Sequence, residues 1–196
     1  MAEVMSWRIA GRSPAQGVAE GWREQLITRL GQRPRRLGLF TELALYGALE
    51  ALAEAGERAL PEDALLRVSS LRGPVSAIAQ VVEQLESDLP LPFSFLQSQP
   101  SQMLAALAAA LQWQGDASFL PARDPPAQLT LAARQAGRRG LLLGWVEETG
   151  PATSHWLRLL PATPPALAWQ PLTRREQLLD PQMAWLVLQP DGLAIA

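Results

Sequence analysis

The sequence predicts an α/β fold, a mostly parallel mixed sheet packed with helices. Two observations predict it. From Ala117 to Val146 the chain reads strand, turn, helix, strand, and strands separated by helices pair in parallel. From Leu37 to Ala55 apolar residues recur at helical spacing over several turns. With 196 residues, 48% of them hydrophobic, the chain is long enough to bury a core of its own. The texture changes after Gly150, so residues 1–150 are expected to form the main domain and 151–196 an extension packing on it.

Residues Met1–Gly17 show no sustained period, apart from a short strand expected around Trp7–Ala10. A first helical pattern runs from Val18 to Leu30 and ends in the basic, breaker-rich joint Gly31-Gln32-Arg33-Pro34-Arg35-Arg36. The second helix, Leu37–Ala55, places Leu45, Ala48, Leu49, Leu52 and Ala55 on one face and Glu42, Glu50 and Glu54 on the other, and Gly56 stops it. Ala64–Ser69 reads as a strand. The loop Ser70–Pro74 leads into a third helix carrying Ile78, Val81, Val82 and Leu85. Asp88–Pro100, with prolines at 90, 92 and 100, is expected to be an irregular loop held down by Phe93 and Phe95. Ser101–Trp113 is a helix of small residues suited to close packing. The strand Ala117–Ala122, the elbow Arg123-Asp124-Pro125-Pro126, the helix Ala127–Ala136 and the strand Leu141–Val146 follow. Beyond Gly150 the pattern gives a strand at His155–Leu160, a proline-punctuated stretch Pro161–Pro171 and a short helix near Arg174–Leu179. A terminal hairpin joins Trp185–Leu188 to Leu193–Ile195 through Gln189-Pro190-Asp191-Gly192.

Composition excludes many functions by counting. With no cysteine there is no thiolate nucleophile, thiolate metal site or disulfide. All 17 basic residues are arginine, which removes lysine Schiff-base and P-loop chemistry. The one histidine, His155, would have to serve any zinc site or Ser–His triad. A net charge of −2 argues against a dedicated nucleic-acid binder. No apolar run reaches the roughly 18–20 residues of a membrane span, and no signal peptide is recognised, so a cytoplasmic location is expected.

Arg33–Gly56, Ala64–Pro74 and Pro90–Glu148 together resemble the N-terminal half of a β-ketoacyl synthase, a condensing enzyme of the thiolase fold. Arg35-Arg36-Leu37-Gly38-Leu39-Phe40 resembles the family's opening helix, and Val68-Ser69-Ser70-Leu71-Arg72-Gly73 its strand and glycine-containing loop. Pro92-Phe93-Ser94-Phe95-Leu96-Gln97-Ser98-Gln99-Pro100-Ser101 resembles the segment before its small-residue helix. Gln114-Gly115 leads into the strand that delivers the nucleophile, and Leu141–Glu148 resembles the next strand. The order and spacing of these pieces, over about two-thirds of the chain, carry the likeness.

The resemblance implies half of a thiolase-like fold, and it places the family's catalytic cysteine at Asp124 or Pro125. A carboxylate is a poor nucleophile toward a thioester, and proline removes a backbone N–H where the family builds its oxyanion hole. The family's two catalytic histidines belong to the half that has no counterpart here. His155 lies outside both motifs and is expected at a strand edge beside Trp156. On the helix after the elbow, Leu129, Ala132, Ala133 and Ala136 share one arc, with Gln128, Thr130, Arg134, Gln135 and Arg138 opposite and Leu131 among them. That polar arc would be costly in the family's covered central helix.

Family members that lack the nucleophile act as chain-length factors, pairing with an active ketosynthase and walling its acyl tunnel. The chain resembles half-sized partners of this kind found in aryl-polyene gene clusters. The resemblance thus implies a non-catalytic subunit, without cofactor or metal, in a heterodimer with a full-length ketosynthase of polyketide, polyene or fatty-acid type. Aromatic-polyketide chain-length factors often carry glutamine at the cysteine position; this chain does not, so no helper decarboxylation is implied. Phe93, Phe95, Met103 and Phe119 are the expected interface or tunnel-wall residues. Arg33, Arg35 and Arg36 are either solvated at a helix end or a contact for acyl carrier protein or a phosphate. Two alternatives stand beside this reading: a scaffold or adaptor for carrier protein or ketosynthase without tunnel function, and a hydrolase built on Ser154-His155 with Asp180, Glu147 or Glu148. The second lacks a G-x-S-x-G elbow, and adjacent strand residues point to opposite faces.

Overall fold

A computed structural model of the chain describes residues 5–14, 17–89 and 91–196, for Arg175 the backbone only. Residues 1–4, 15 and 16 of the patternless N-terminal stretch, and Pro90 of the expected loop, lie outside the described residues. The elements are β1 (Met5–Arg12), α1 (Trp22–Leu30), α2 (Leu39–Glu54), β2 (Leu65–Ser70), α3 (Val75–Glu86), α4 (Pro92–Gln97), α5 (Pro100–Ala110) and β3 (Ala117–Pro121). They continue with α6 (Pro125–Ala136), β4 (Leu141–Glu147), β5 (Thr153–Pro161), β6 (Gln170–Pro171), α7 (Arg175–Leu178), β7 (Trp185–Gln189) and β8 (Gly192–Ile195).

The strands form one sheet in the order β3-β2-β4-β5-β1-β7-β8-β6. It is mixed, but only β3–β2 and β2–β4 are parallel; every other described pairing is antiparallel. The expected parallel majority is therefore corrected. Parallel neighbours need a crossover, and only residues 65–147 supply crossover helices. The segment from Glu148 to Ala152 simply turns β4 back into β5, so Leu141 pairs with Leu159 and Glu147 with Thr153. β5 then pairs with β1, and β1 with β7, so the strands after residue 150 join the same sheet.

Alternation along β2 sorts the two faces. Leu66 and Val68 join a core with α2 and α5, whereas Leu65 joins a second core with α6. Arg67, 4% exposed, also turns to the α6 side, where its Nε donates to Gln135 and its two Nη atoms reach Asp116 Oδ1 and Oδ2 at 3.0 and 2.9 Å. That bidentate pair ties the loop before β3 to the adjoining strand.

α2 is less two-faced than its sequence pattern. Phe40, Leu43, Ala44, Leu45, Tyr46 and Ala48 are all buried, because α2 touches β1, β4 and β5 as well as α1 and α5. Two glycines allow this approach. A Cβ at Gly11 would stand 2.1 Å from the Ala51 carbonyl, and one at Gly47 would stand 2.3 Å from both Ser154 Oγ and the Trp156 ring. Glu42 and Glu50 accept from Arg23 and Arg29 of α1, so the acidic face of α2 seats the first helix.

The expected irregular loop Asp88–Pro100 contains the helix α4, with Pro92 in its first turn, where the missing N–H breaks no helical bond. Its aromatics do not hold it down: Phe93 and Phe95 are 51% and 57% exposed. The inward residue is Ser94, which receives a hydrogen bond from Gln84 of α3. α3 itself reverses the expected burial. Its apolar stripe faces outward, and Ala77 is its only buried residue. Glu147 accepts from the Leu71 N–H and Glu148 from the Ser76 N–H, pinning the start of α3 to the end of β4.

Candidate functional site

The elbow between β3 and α6 is where the resemblance places a nucleophile. Asp124 is the N-cap of α6, and its Oδ1 accepts from the Ala127 N–H at 3.4 Å. Pro125 and Pro126 have no N–H, and the Gln128 N–H bonds to the Asp124 carbonyl. All four leading positions of the helix are thus accounted for, and none presents a donor to an oxyanion. The Asp124 carboxylate is exposed and committed to the cap.

Beneath the elbow lies a cleft of about 20 Å³, room for roughly one water, lined by Ser69, Pro125, Gln128, Trp145, His155 and Leu178 among others. β2 supplies Ser69, β4 supplies Trp145 and β5 supplies His155, while α6 brings Pro125 and Gln128. The Ser69 hydroxyl donates to Gln128 Oε1. His155 is 8% exposed and stands opposite Trp145 in β5, between β4 and β1. The strand-edge expectation for it is corrected: it is interior, and the fold brings it to the same cleft as Pro125. Only the closing of β5 onto β4 does this, and nothing in the spacing of residues 125 and 155 signals it.

No carboxylate lines the cleft among the described residues. Ser154, one residue from His155, faces the opposite side of the sheet, where its hydroxyl donates to the Leu43 carbonyl and accepts from Trp156 Nε1 at 3.0 Å. Glu147 and Glu148 hold the β2–α3 connection, and Asp180 Oδ1 accepts from the Gln182 N–H. The residues proposed for a hydrolase are therefore dispersed. No group of three or more His, Cys, Asp or Glu suited to a metal occurs among the described residues.

The other residues singled out separate into two settings. Met103 is 1% exposed, in the core with Phe40, Leu107 and Leu111. Phe119, half-buried on β3, meets Phe40 edge to face at 6.1 Å. Phe93 lies under the Arg36 guanidinium, 4.8 Å from it, while Phe95, about 200° further round the helix, is exposed away from that contact. Arg33, Arg35 and Arg36 are exposed on the loop before α2.

The feature that sequence reasoning missed is a surface. Leu71, Ile78, Val82, Leu85, Leu89, Leu91, Phe93, Phe95 and Leu96 are all 42–68% exposed, and only Leu131 and Leu167 elsewhere among the described residues are comparable. This apolar surface adjoins the sheet edge, since the Gly73 loop lies against Phe119 of β3. β3 is an end strand of the sheet, with no strand paired to its outer side among the described residues.

No family model and no curated protein matches the chain. Forty chains of solved structures do. A chain of the ishigamide ketosynthase/chain length factor superposes with a TM-score of 0.58 at 16% identity, covering 81% of this chain and 59% of that one. A chain from the AntDE:AntF complex, a type II polyketide synthase acyl-carrier protein with its ketosynthase bound to the hexaketide, gives 0.58 at 10% identity over 80% of this chain and 62% of that one. This chain therefore spans about three-fifths of those two. A chain of the ketosynthase ApeO in complex with its chain length factor ApeC from Xenorhabdus doucetiae gives 0.55 at 16% identity, over 99% of this chain and 96% of that one. The chain thus has the fold seen in ketosynthase and chain length factor complexes, at the size of one chain of the ApeO–ApeC pair.

Proposed function

We propose that the chain is a non-catalytic, chain-length-factor-like subunit that pairs with an active β-ketoacyl synthase and shapes its acyl tunnel. The observation that carries the reading is the exposed apolar α3–α4 surface together with the end strand β3, in a chain of this fold. Monomers rarely leave so large an apolar patch to water, and an unpaired edge strand is a template for another chain. The elbow supports catalytic silence, because the position expected for a thiol holds a helix cap and two residues without N–H. A cytoplasmic location and visits by acyl carrier protein belong to the same reading.

Within the tunnel proposal the four expected wall residues take different parts. Phe95 is the exposed candidate, and Phe119 stands at the sheet edge. Met103 backs the wall from the core, and Phe93 is engaged with Arg36.

Co-expression with a full-length β-ketoacyl synthase from the same organism tests the proposal. The expected outcome is a 1:1 complex burying more than about 2,000 Å², as obligate interfaces do. A monodisperse monomer, unchanged by adding that ketosynthase, would overturn it.

A further inference from the structure

The chain contains two Asp–Pro bonds, Asp124–Pro125 and Asp180–Pro181. The link to proline is a tertiary amide, and its nitrogen leaves readily once protonated. An aspartate before it carries a carboxylate that can close a small ring onto its own carbonyl carbon, a nucleophile already in place. The fold treats the two bonds differently.

Asp180-Pro181-Gln182-Met183 forms a turn, with aspartate at its first position and proline at its second. The Met183 N–H closes it on the Asp180 carbonyl at 3.2 Å, and Asp180 Oδ1 accepts from the Gln182 N–H at 2.8 Å. That second bond folds the carboxylate forward over its own peptide group. Arg12, at the end of β1, spans the turn: its Nη1 donates to the Asp180 carbonyl at 2.5 Å and its Nη2 to the Met183 carbonyl. The Asp180 carbonyl oxygen thus receives a charged donor and a backbone N–H together, the kind of pair that stabilises an oxyanion. The Asp124 carbonyl receives the Gln128 N–H alone among the described residues, at 3.2 Å, and its carboxylate is turned to the Ala127 N–H. An open recess of about 650 Å³, lined by Arg12, Glu54, Leu179 and Pro181 among others, brings solvent to the Asp180 turn.

We infer that Asp180–Pro181 is a self-cleavage site, with Arg12 and the Met183 N–H as its oxyanion hole. A carboxylate oxygen of Asp180 attacks the Asp180 carbonyl carbon, and the carbonyl electron pair moves onto the oxygen that Arg12 holds. As this oxyanion collapses, the bond to the Pro181 nitrogen breaks and the nitrogen takes a proton from water. Water then opens the cyclic anhydride left on Asp180, giving back the side-chain carboxylate and a new C-terminal one. The sum is one water consumed and one peptide bond broken. Residues 181–196 keep their place after the cut, because β7 pairs with β1 and β8 with β6. The inference stands whether or not the chain pairs with a ketosynthase, since α3, α4 and β3 contribute nothing to this turn.

The test incubates the purified full chain at neutral pH, folded or in denaturant, and follows fragments by intact mass spectrometry. In denaturant the two Asp–Pro bonds should break at comparable rates. In the folded chain Asp180–Pro181 is expected to break about a hundredfold faster than Asp124–Pro125, yielding fragments 1–180 and 181–196. Arg12→Gln, checked for folding by circular dichroism, should slow that cleavage about a hundredfold, and Arg12→Lys, which keeps one charged donor, should slow it less. Asp180→Ala should abolish it. Equal rates at the two bonds of the folded chain, or a wild-type rate in folded Arg12→Gln, overturns the inference. Fragments that persist in Asp180→Ala overturn it too, since a contaminating protease would then be making the cut. Where Arg12→Gln does not fold, the two bonds of the wild-type chain, compared folded and unfolded, decide the matter.

Discussion

Asp124, one of the two positions at which the resemblance puts a thiol, closes a helix end. Removing its side chain opens one hydrogen bond at the start of α6, so Asp124→Ala is expected to lower stability by about 1 kcal/mol, as lost N-caps do. Condensation by the complex should stay within about threefold of wild type, or roughly 0.6 kcal/mol. His155→Ala should behave alike in turnover, measured on the purified complex; a hundredfold loss in either variant with the complex intact would restore a catalytic role. Met103 belongs to the packed interior, so Met103→Ala is expected to cost about 2–5 kcal/mol, read as a lowered Tm. A shift in product length without that loss of stability would instead make Met103 a direct wall of the tunnel.

Among the elements, α3 and α4 behave unlike the rest. α2, α5 and α6 pack their apolar residues inward against the sheet, while α3 packs on α4 and leaves its stripe to solvent. Glu83, Glu86 and Asp88 lie along the patch, with Arg72 beside Leu71 and Arg36 over Phe93. Leu85, 60% exposed, reports on this cleanly. Leu85→Asp should change the stability of the isolated chain by no more than about 0.5 kcal/mol, as surface substitutions do, yet weaken association with the ketosynthase about tenfold. Unaltered association, measured by calorimetry or sedimentation, would move the interface elsewhere. The same elements show how far the sequence was legible. The periodicity of Ile78, Val82 and Leu85 identified a helix with one apolar face, but periodicity is blind to what covers that face. Leu129, Ala132, Ala133 and Ala136 did turn inward, onto the sheet and onto Leu172, Leu178 and Met183. The directions of the strands after Gly150 were illegible for a different reason: pairing is non-local, and the meeting of His155 with Pro125 depends on it.

At the scale of the whole molecule, one sheet holds the first and last described strands, and charge pairs anchor buried arginines against it. Arg158, 1% exposed, meets Glu57 at 2.6 and 2.9 Å, and Arg67 meets Asp116 near the β3 edge. The hydrogen bond from Arg67 holds the Asp116 carboxyl below the usual carboxylate range. A carboxyl depressed on folding contributes stability that is fully present above its unfolded value, roughly pH 4, and is lost as pH falls through the lower folded value. The Asp116 side chain is 56% exposed, so its share is modest. Acid unfolding below about pH 4 should accordingly be slightly shallower in Asp116→Asn than in wild type; identical pH profiles would remove the pair from the acid response.

The two prolines at the head of α6 also limit what single substitutions there can do. A mutation of Asp124 to cysteine would supply a thiol, but it would discard the cap and still leave positions 125 and 126 without N–H. Gaining a nucleophile together with a donor for its intermediate thus takes several coordinated substitutions, each unrewarded alone. Every single step from this elbow toward a nucleophile thus loses a cap before it gains a reaction.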